Sequence, residues 1–350
     1  MDKAPKVKKE TKNKIRVEFE RAPLWERLKA KFFSLNFLKN VVYVIFRTVL
    51  LIGVSFVILS PYLQKIFGSI KSVSDFSNPK VVLISANPTF DQYKILFTDT
   101  SYFSSLFKTI IISVTIAFIE TIICALIAYG LAKFKFRGNN LVFMLVVATL
   151  MIPRETLQYS ITQFISNFGE SNPIGLFLSN YVQSYSDEWL RNSFFIRYML
   201  SFMGLGFKDG LFIFMLRQFF RGVPDELEES AYVDGCNAFK TFFNIIIPIS
   251  IPMLITVFIF GFSWQWTDSF YSDLLFDTQG NPGTLSSIVD ELGKPEFTHF
   301  NTIRDGNIRL LYSNTVQGTL TILIAFPLII MYCFLQNKIV QGVERSGIVG

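Results

Sequence analysis

Long uninterrupted runs of apolar residues alternate with polar stretches along the 350-residue chain. A membrane core about 30 Å thick needs about 20 helical residues to cross it, because backbone N–H and C=O groups in lipid must be paired within the helix. The runs predict an all-α, polytopic membrane protein with six transmembrane helices. We place these helices at residues 41–63, 106–132, 141–164, 201–220, 251–271 and 310–335.

Two of the six predicted helices contain residues that oppose a membrane span. Pro153, Arg154 and Glu155 interrupt the third run, and Lys208 and Asp209 lie inside the fourth. Arg47 and Lys108 lie near helix ends, where a long cationic side chain reaches the interface. The third and fourth spans are therefore the ones that most need a structural check.

Lys and Arg residues are unevenly divided between the two sides that these spans define. Positive charge resists translocation, so loops rich in Lys and Arg stay in the cytoplasm. With the N-terminus inside, 20 of the 33 Lys and Arg residues fall in cytoplasmic segments and 9 in external ones. We therefore expect both termini in the cytoplasm, with long external segments at 64–105, 165–200 and 276–309.

The chain divides into four parts by composition. Residues 1–40 form a basic cytoplasmic tail, with 12 Lys/Arg against 5 Asp/Glu, whose expected contact is anionic lipid rather than nucleic acid. Residues 41–105 hold the first span and its external loop. Residues 106–337 form the membrane core with a cytoplasmic loop at 222–248, and residues 338–350 form a cytoplasmic C-terminal tail.

Metal and catalytic chemistry receive little support from the residue types present. Cys124, Cys236 and Cys333 show no CxxC spacing, so we expect small apolar packing roles rather than disulfides or zinc ligands. His299 is the only histidine, which leaves no multi-histidine metal site. We predict no metal site and no catalytic residue.

The loop at 222–248 carries the strongest local pattern. Pro224 suits the first position of a helix, and Asp225, Glu226, Glu228 and Glu229 place negative charge where the helix dipole favours it. A short helix is therefore expected to begin here.

A second short helix should follow the first. Gly235 can adopt positive φ, which would end the first helix and let the chain reverse into another helix from Asn237. Leu227 and Ala231 share one face of the first helix, with Asp234 near the same stripe. This predicts a small apolar knob rimmed by acids that fits a groove on a partner, although a merely solvated loop has the same composition.

The spacing of this loop resembles the signature of ABC importer permeases, which is Glu-Ala-Ala, then Gly, then Ile-x-Leu-Pro. The matching residues here are Glu229, Ser230, Ala231, Gly235, Ile245 and Pro248. The resemblance implies a pair of coupling helices seated in a cleft of a separate ATPase, with Glu229 making the charged contact. It also implies that ATP and magnesium are bound by that ATPase and that this chain binds no cofactor.

Other stretches resemble sugar-type permeases, and among them the maltose-like member of the two that pair. These stretches are 128–138, 151–153, 214–220 and the ending 340–350. The likeness covers roughly residues 103–350, while segment 172–198 looks longer than usual. It implies a bacterial plasma-membrane subunit whose partners are a sister permease, an ATPase dimer, an extracytoplasmic binding protein and a sugar. It also implies that a C-terminal tail contacts the ATPase through Gln341, Gly342 and Gly347.

A candidate substrate pathway lies in the fifth span. Sugar recognition uses aromatic faces and hydrogen-bonding groups, and an ionisable group inside a span usually faces a cavity or a partner. Trp264, Trp266 and Tyr271 equally fit an interfacial aromatic belt, and Glu120 in the second span equally fits a helix-to-helix hydrogen bond. The candidate residues are Trp264, Trp266, Thr267, Asp268, Tyr271 and Glu120.

Other function classes stay open at this point. An ion-coupled secondary transporter would use Glu120 and Asp268 as protonation sites. A membrane enzyme would use the external carboxylates Asp187, Glu188, Asp290 and Glu291. An ABC permease for a non-sugar solute such as glycerol phosphate is a further alternative. The secondary transporter leaves the register from Glu229 to Pro248 unexplained, and for the enzyme nothing in the sequence fixes the geometry of the carboxylates.

Overall fold

The computed structural model describes residues 6–7, 17–18, 25, 35–153, 156–157, 159–160, 163, 195–206, 208–271, 283–293, 300 and 303–347. Two short strands, β1 (Lys6–Val7) and β2 (Val17–Glu18), pair in antiparallel fashion near the N-terminus. The remaining regular structure in these ranges is helical, which confirms the predicted helical class.

The α-helices and their bounds follow the chain from the first apolar run to the C-terminal region. They are α1 (Leu35–Gly68), α2 (Asp91–Thr98), α3 (Tyr102–Lys133), α4 (Asn139–Thr149), α5 (Phe195–Phe202), α6 (Asp209–Arg221), α7 (Glu226–Val233), α8 (Ala238–Thr241), α9 (Ile247–Trp266), α10 (Leu285–Gly293) and α11 (Gly306–Gly347). A 3-10 helix (Val73–Ser77) follows α1, and a π-helix (Phe242–Ile246) joins α8 to α9.

Four described segments are long and apolar enough to cross a membrane: Lys39–Gly68, Tyr102–Lys133, Ala238–Trp266 and Gly306–Val340. They contain the first, second and sixth predicted spans in full. The fifth predicted span is confirmed as a helix but ends at Trp266 rather than at residue 271.

The third predicted span is not one continuous helix within the described residues. The helix α4 ends at Thr149, and the amide of Leu150 closes a tighter turn on the Val147 carbonyl at 3.0 Å. Pro153 accounts for the stop, because proline disfavours helical dihedrals in the residue before it and lacks an N–H. Arg154 and Glu155 lie outside the described residues.

The prediction of one unbroken span at 201–220 is wrong. The helix α5 ends at Phe202 and α6 begins at Asp209. Gly204 has φ +70°, and its amide and that of Leu205 return to the Ser201 and Leu200 carbonyls, which is the hydrogen-bond pattern of a Schellman helix end.

The chain forms two compact units, Met1–Gln64 and Lys65–Gly350. In the first unit, α1 exposes large apolar side chains such as Val49, Phe56 and Val57, as expected for a lipid-facing helix. In the second unit, α3 is central, because it packs against both α6 and α9, while α9 and α10 pack against α11.

Two hydrophobic clusters lie along α3. One surrounds Cys124, Ala125 and Ala128 together with α6, the π-helix and α9. The other surrounds Tyr102 and Ala117 together with α2, α10 and α11. Small alanine side chains on α3 let neighbouring helices approach closely. The stretch of α3 between the two clusters carries Glu120, so a buried carboxyl group interrupts an otherwise apolar core.

Candidate functional site

The acidic segment forms a short helix, as its sequence predicts. The helix α7 begins at Glu226, with Asp225 at the N-cap position and Glu226, Glu228 and Glu229 in its first turn. Pro224 lies before the N-cap, so the prediction that it occupies the first helical position is wrong by two residues. The negative charges still lie at the positive end of the helix dipole.

Gly235 ends α7 in the conformation that its sequence predicts. Its φ is +82°, its amide bonds to the Tyr232 carbonyl at 3.1 Å, and the Cys236 amide bonds to the Ala231 carbonyl at 2.9 Å. These are the two bonds of a Schellman motif. The side chain of Asn237 then accepts a hydrogen bond from the Lys240 amide at 2.9 Å and starts α8.

The two short helices expose both charged and large apolar side chains. Glu229, Ser230, Asp234 and Gly235 are exposed, Ile245 is half-buried and Pro248 is exposed at the start of α9. Ala231 is only 3% exposed, so the prediction that it forms part of an outward knob is wrong. The outward apolar residues are Leu227, Tyr232, Val233, Phe239 and Phe243, of which Val233 is 88% exposed and Phe239 70%.

Lys133 holds α7 onto the end of α3. Its Nζ lies 2.6 Å from the Val223 carbonyl oxygen, 2.6 Å from Asp225 Oδ1 and 3.3 Å from Glu228 Oε1. The hydrogen bond from Lys133, together with its charge, keeps the pKa of the Asp225 carboxyl below its ordinary value. Tyr129 adds a hydrogen bond from its hydroxyl to Glu228 Oε2 at 3.4 Å.

A cavity of about 720 Å³ lies beside the broken fourth span. Its walls are the turn after α4, the break between α5 and α6, and the end of α9. Four of the predicted pathway residues line it: Trp264, Thr267, Asp268 and Tyr271. Hydroxyl groups of Thr149 and Ser269 are on the same walls, so the lining mixes aromatic and hydrogen-bonding groups.

Trp266 is not among the residues that line this cavity. It is buried and donates a hydrogen bond from Nε1 to the Ile324 carbonyl in α11 at 2.9 Å. Residues two apart on a helix point about 200° apart, so Trp264 and Trp266 face opposite sides of α9. Trp266 is therefore not part of this cavity, and its place in the substrate pathway stays a prediction.

Glu120 lies in a buried polar network rather than on the cavity wall. Its Oε1 accepts hydrogen bonds from Ser201 Oγ at 3.1 Å and from Gln265 Nε2 at 2.9 Å. Gln265 in turn accepts a hydrogen bond from Arg197 Nε at 3.1 Å. The network joins α3, α5 and α9, as expected for the helix-to-helix alternative, and a small space of about 10 Å³ separates Glu120 from Asp268 and Tyr271.

Arg197 is the residue of this site that sequence reasoning missed. It falls in segment 165–200, which the sequence predicts to be external, but its side chain is buried and its guanidinium lies 3.0 Å from Asp268 Oδ2. It also lies over the ring of Tyr271, 5.6 Å from the centroid. The positive charge of Arg197 thus balances the negative charge of Asp268 at the edge of the cavity.

Gly206 fits between two buried carboxyl groups. A Cβ atom at this position would lie 2.6 Å from Glu120 Oε1 and 2.7 Å from Asp209 Oδ2. The Asp209 carboxylate accepts hydrogen bonds from the Gly206 amide and from Cys124 Sγ, the latter at 3.4 Å. Because these carboxyl groups are held by other bonds, a side chain at residue 206 would displace them.

Several predicted positions fall partly or wholly outside the described residues. The helix α11 extends to Gly347 and includes the backbone of Gln341 and Gly342, but the side chain of Gln341 is not described. Asp187, Glu188, His299 and most of segment 172–198 lie outside as well.

The chain belongs to a family of transport proteins. Residues 121–345 match the family described as "Binding-protein-dependent transport system inner membrane component". The match covers α3 from Thr121 onward, α7 with Gly235, and the helices that surround the cavity. This chain is therefore a membrane component of a transport system, and the hypothesis of a membrane enzyme is set aside.

Named relatives are permease proteins. The chain is 28% identical to the alpha-glucoside transport system permease protein AglG of Rhizobium meliloti over 75% of its own length, but it spans only 60% of that protein. It is 25% identical to the arabinooligosaccharides transport system permease protein AraQ of Bacillus subtilis, over 88% of this chain and 97% of that one.

Solved structures share the fold. A chain of a bacterial ABC transporter involved in the import of the acidic polysaccharide alginate superposes with a TM-score of 0.63 at 19% identity, covering 87% of this chain and 98% of that one. A second structure contains that kind of transporter with a periplasmic protein bound to an alginate pentasaccharide, with a TM-score of 0.57 at 15% identity.

Proposed function

We propose that this chain is the transmembrane permease subunit of an ATP-driven ABC importer. It passes a sugar or oligosaccharide from an extracytoplasmic binding protein into the cytoplasm by alternating access. The chain spans a bacterial plasma membrane six times, with the fourth crossing made by the interrupted helices α5 and α6, and has both termini and the pair α7–α8 in the cytoplasm. Its partners are a sister permease, an ATPase dimer and the binding protein.

The observation that carries this proposal is the geometry of α7 and α8. Two short helices around a positive-φ glycine present Glu229 beside exposed apolar side chains such as Val233 and Phe239. Exposed apolar groups ringed by charge mark protein contact surfaces. An ATPase groove that covers these side chains would bury them and pair with Glu229.

A sugar cargo is supported by the cavity and by the relatives. The cavity offers an indole, a phenol and several hydroxyl groups, which suit the apolar faces and hydroxyls of a pyranose ring. The named relatives transport alpha-glucosides and arabinooligosaccharides. We assign Trp264, Thr267, Asp268 and Tyr271 to the pathway, with Arg197 and Glu120 fixing its wall.

Reconstituted vesicles test this function. The chain is assembled with its sister permease and ATPase, and uptake of labelled gluco- and arabino-oligosaccharides is measured with and without the binding protein. We expect uptake that requires ATP, ATPase and loaded binding protein together. Uptake driven by a proton gradient alone would instead support the ion-coupled alternative. If the same ATP-dependent uptake is seen with glycerol phosphate and with none of the sugars, the chain is still an ABC importer permease but its cargo is not a sugar.

A further inference from the structure

Lys133 makes three oxygen contacts from a nearly buried position at the end of α3. Its ammonium donates hydrogen bonds to the Val223 carbonyl oxygen and to Asp225 Oδ1, each at 2.6 Å, and forms an ion pair with Glu228 Oε1 at 3.3 Å. The Lys133 side chain is 6% exposed, whereas that of Asp225 is 80% exposed. The ammonium thus fastens the start of α7 to the last residue of α3.

The helix α3 links this contact to the cavity. Glu120 lies 13 residues before Lys133 on the same helix, a distance of about 20 Å along the axis. At that level Glu120 bonds to Ser201 and Gln265, which stand beside the broken span and the cavity. A displacement of α7 that pulls Lys133 therefore moves the helix that supports the cavity wall.

We propose that Lys133 is the positioning residue that transmits movement of α7 to α3, and through α3 to the cavity. This role rests on the proposed function of α7 as the ATPase contact. Without the ammonium, α7 keeps only weaker links to α3. ATP hydrolysis then continues while the cavity no longer responds to it.

Other contacts keep α7 folded when the ammonium is removed. Tyr129 still donates to Glu228, and its ring packs against Phe242 at 4.9 Å and Phe220 at 6.1 Å. Arg217 of α6, the helix that leads into α7, donates from Nε to the Leu131 carbonyl at 3.2 Å. The substitution Lys133→Met keeps an unbranched side chain, one atom shorter, and removes the charge, so the link is weakened while most of the site stays filled.

The experiment follows the cavity directly and needs no known cargo. In a Cys236→Ser, Cys333→Ser background the remaining Cys124 is buried, so Thr267→Cys adds the one accessible thiol of this chain, at the cavity edge. The full complex with ATPase and sister permease is purified, and the rate of labelling by a charged maleimide is compared between the ADP state and the ADP–vanadate state that forms after ATP hydrolysis. ATP hydrolysis is measured on the same preparations without vanadate.

We expect the labelling rate of the unaltered complex to differ about tenfold between the ADP state and the vanadate-trapped state. A difference of this size is typical of coupling between two sites. Lys133→Met should still hydrolyse ATP but lose this change, Lys133→Arg should restore it, and Lys135→Met, an exposed neighbour, should match the unaltered complex. A full nucleotide-dependent change in Lys133→Met overturns the inference.

Two further outcomes are separable. If the unaltered chain forms no complex with an ATPase, the proposed function fails, and the role of Lys133 fails with it. If the unaltered complex assembles and the Lys133→Met complex does not, the variant Asp225→Asn tests the role of Lys133 instead. The Asp225 carboxylate is exposed, so its loss should leave the chain folded. Loss of the labelling change in Asp225→Asn supports the link, and its retention overturns it.

Discussion

Arg197 and Asp268 form a buried ion pair at 3.0 Å, with side chains only 4% and 5% exposed. The pair joins α5 to the segment that follows α9, at the edge of the cavity. It means that Asp268, a carboxylate that lines the cavity, already has a cationic partner. The role of Asp268 is therefore first to fix the shape of the wall.

Breaking this pair should destabilise the protein strongly. Arg197→Met leaves a buried carboxylate without its cation, which costs about 3–5 kcal/mol, and Asp268→Leu leaves the guanidinium in the same state. We expect both single variants to lower the thermal unfolding midpoint of the purified complex. The double variant should recover most of the loss, because neither charge is then left unpaired. Additive losses in the double variant would show that the pair is not coupled.

The two tryptophans of α9 should respond differently to the same substitution. Trp266→Phe removes a hydrogen bond to the Ile324 carbonyl and should cost about 1 kcal/mol of stability. Trp264→Phe alters a cavity-lining ring and should reduce sugar uptake with a smaller effect on stability. Thermal unfolding and vesicle uptake of both variants separate these roles. Equal effects on uptake would mean that Trp266 also borders the path.

Replacing Gly235 with alanine should destabilise the α7–α8 segment more than replacing the nearby Gly222 with alanine. Its φ of +82° costs an L-residue about 1–2 kcal/mol, so Gly235→Ala should destabilise α7 and α8 by that amount. Gly222 has φ −82° in the right-handed region, so Gly222→Ala is the matched control and should have little effect. The readout is proteolytic protection of the α7–α8 segment in the purified chain.

Glu229 and Glu228 are adjacent but face different partners. Glu229 is exposed, whereas Glu228 is buried against Lys133. We expect Glu229→Gln to weaken co-purification of the ATPase about tenfold, as for loss of one charged contact at an interface. Asp91→Asn, an exposed carboxylate at the start of α2, controls for the loss of one charge. Unchanged co-purification of Glu229→Gln would remove Glu229 from the contact.

The sequence was most informative where one physical requirement dominated. Long apolar runs located α1, α3, α9 and α11, because few structures other than a membrane helix use such runs. Gly235 was predictable for a similar reason, since a helix that must stop and reverse favours the residue that accepts positive φ. In both cases local chemistry alone determines the outcome.

The errors arose where the outcome depends on distant residues. The break at Gly204 lies just before Lys208 and Asp209, which stand out as charges in an apolar run. Their contacts, Lys208 over the ring of Trp264 in α9 and Asp209 with Cys124 in α3, are not visible in the sequence. Arg197 looked like a loop cation because its partner, Asp268, is far along the chain. The opposite orientation of Trp264 and Trp266 was predictable from helix geometry, and grouping them by residue type concealed it.

The interruption between α5 and α6 has a consequence for solvation. Peptide groups that leave a helix at membrane depth are tolerated only against protein or in contact with water. The break borders an open space of about 720 Å³, so its amides and carbonyls have room to be hydrated. Hydration here would let a solute exchange its water shell gradually along the wall, rather than shed it in a single step at the entrance.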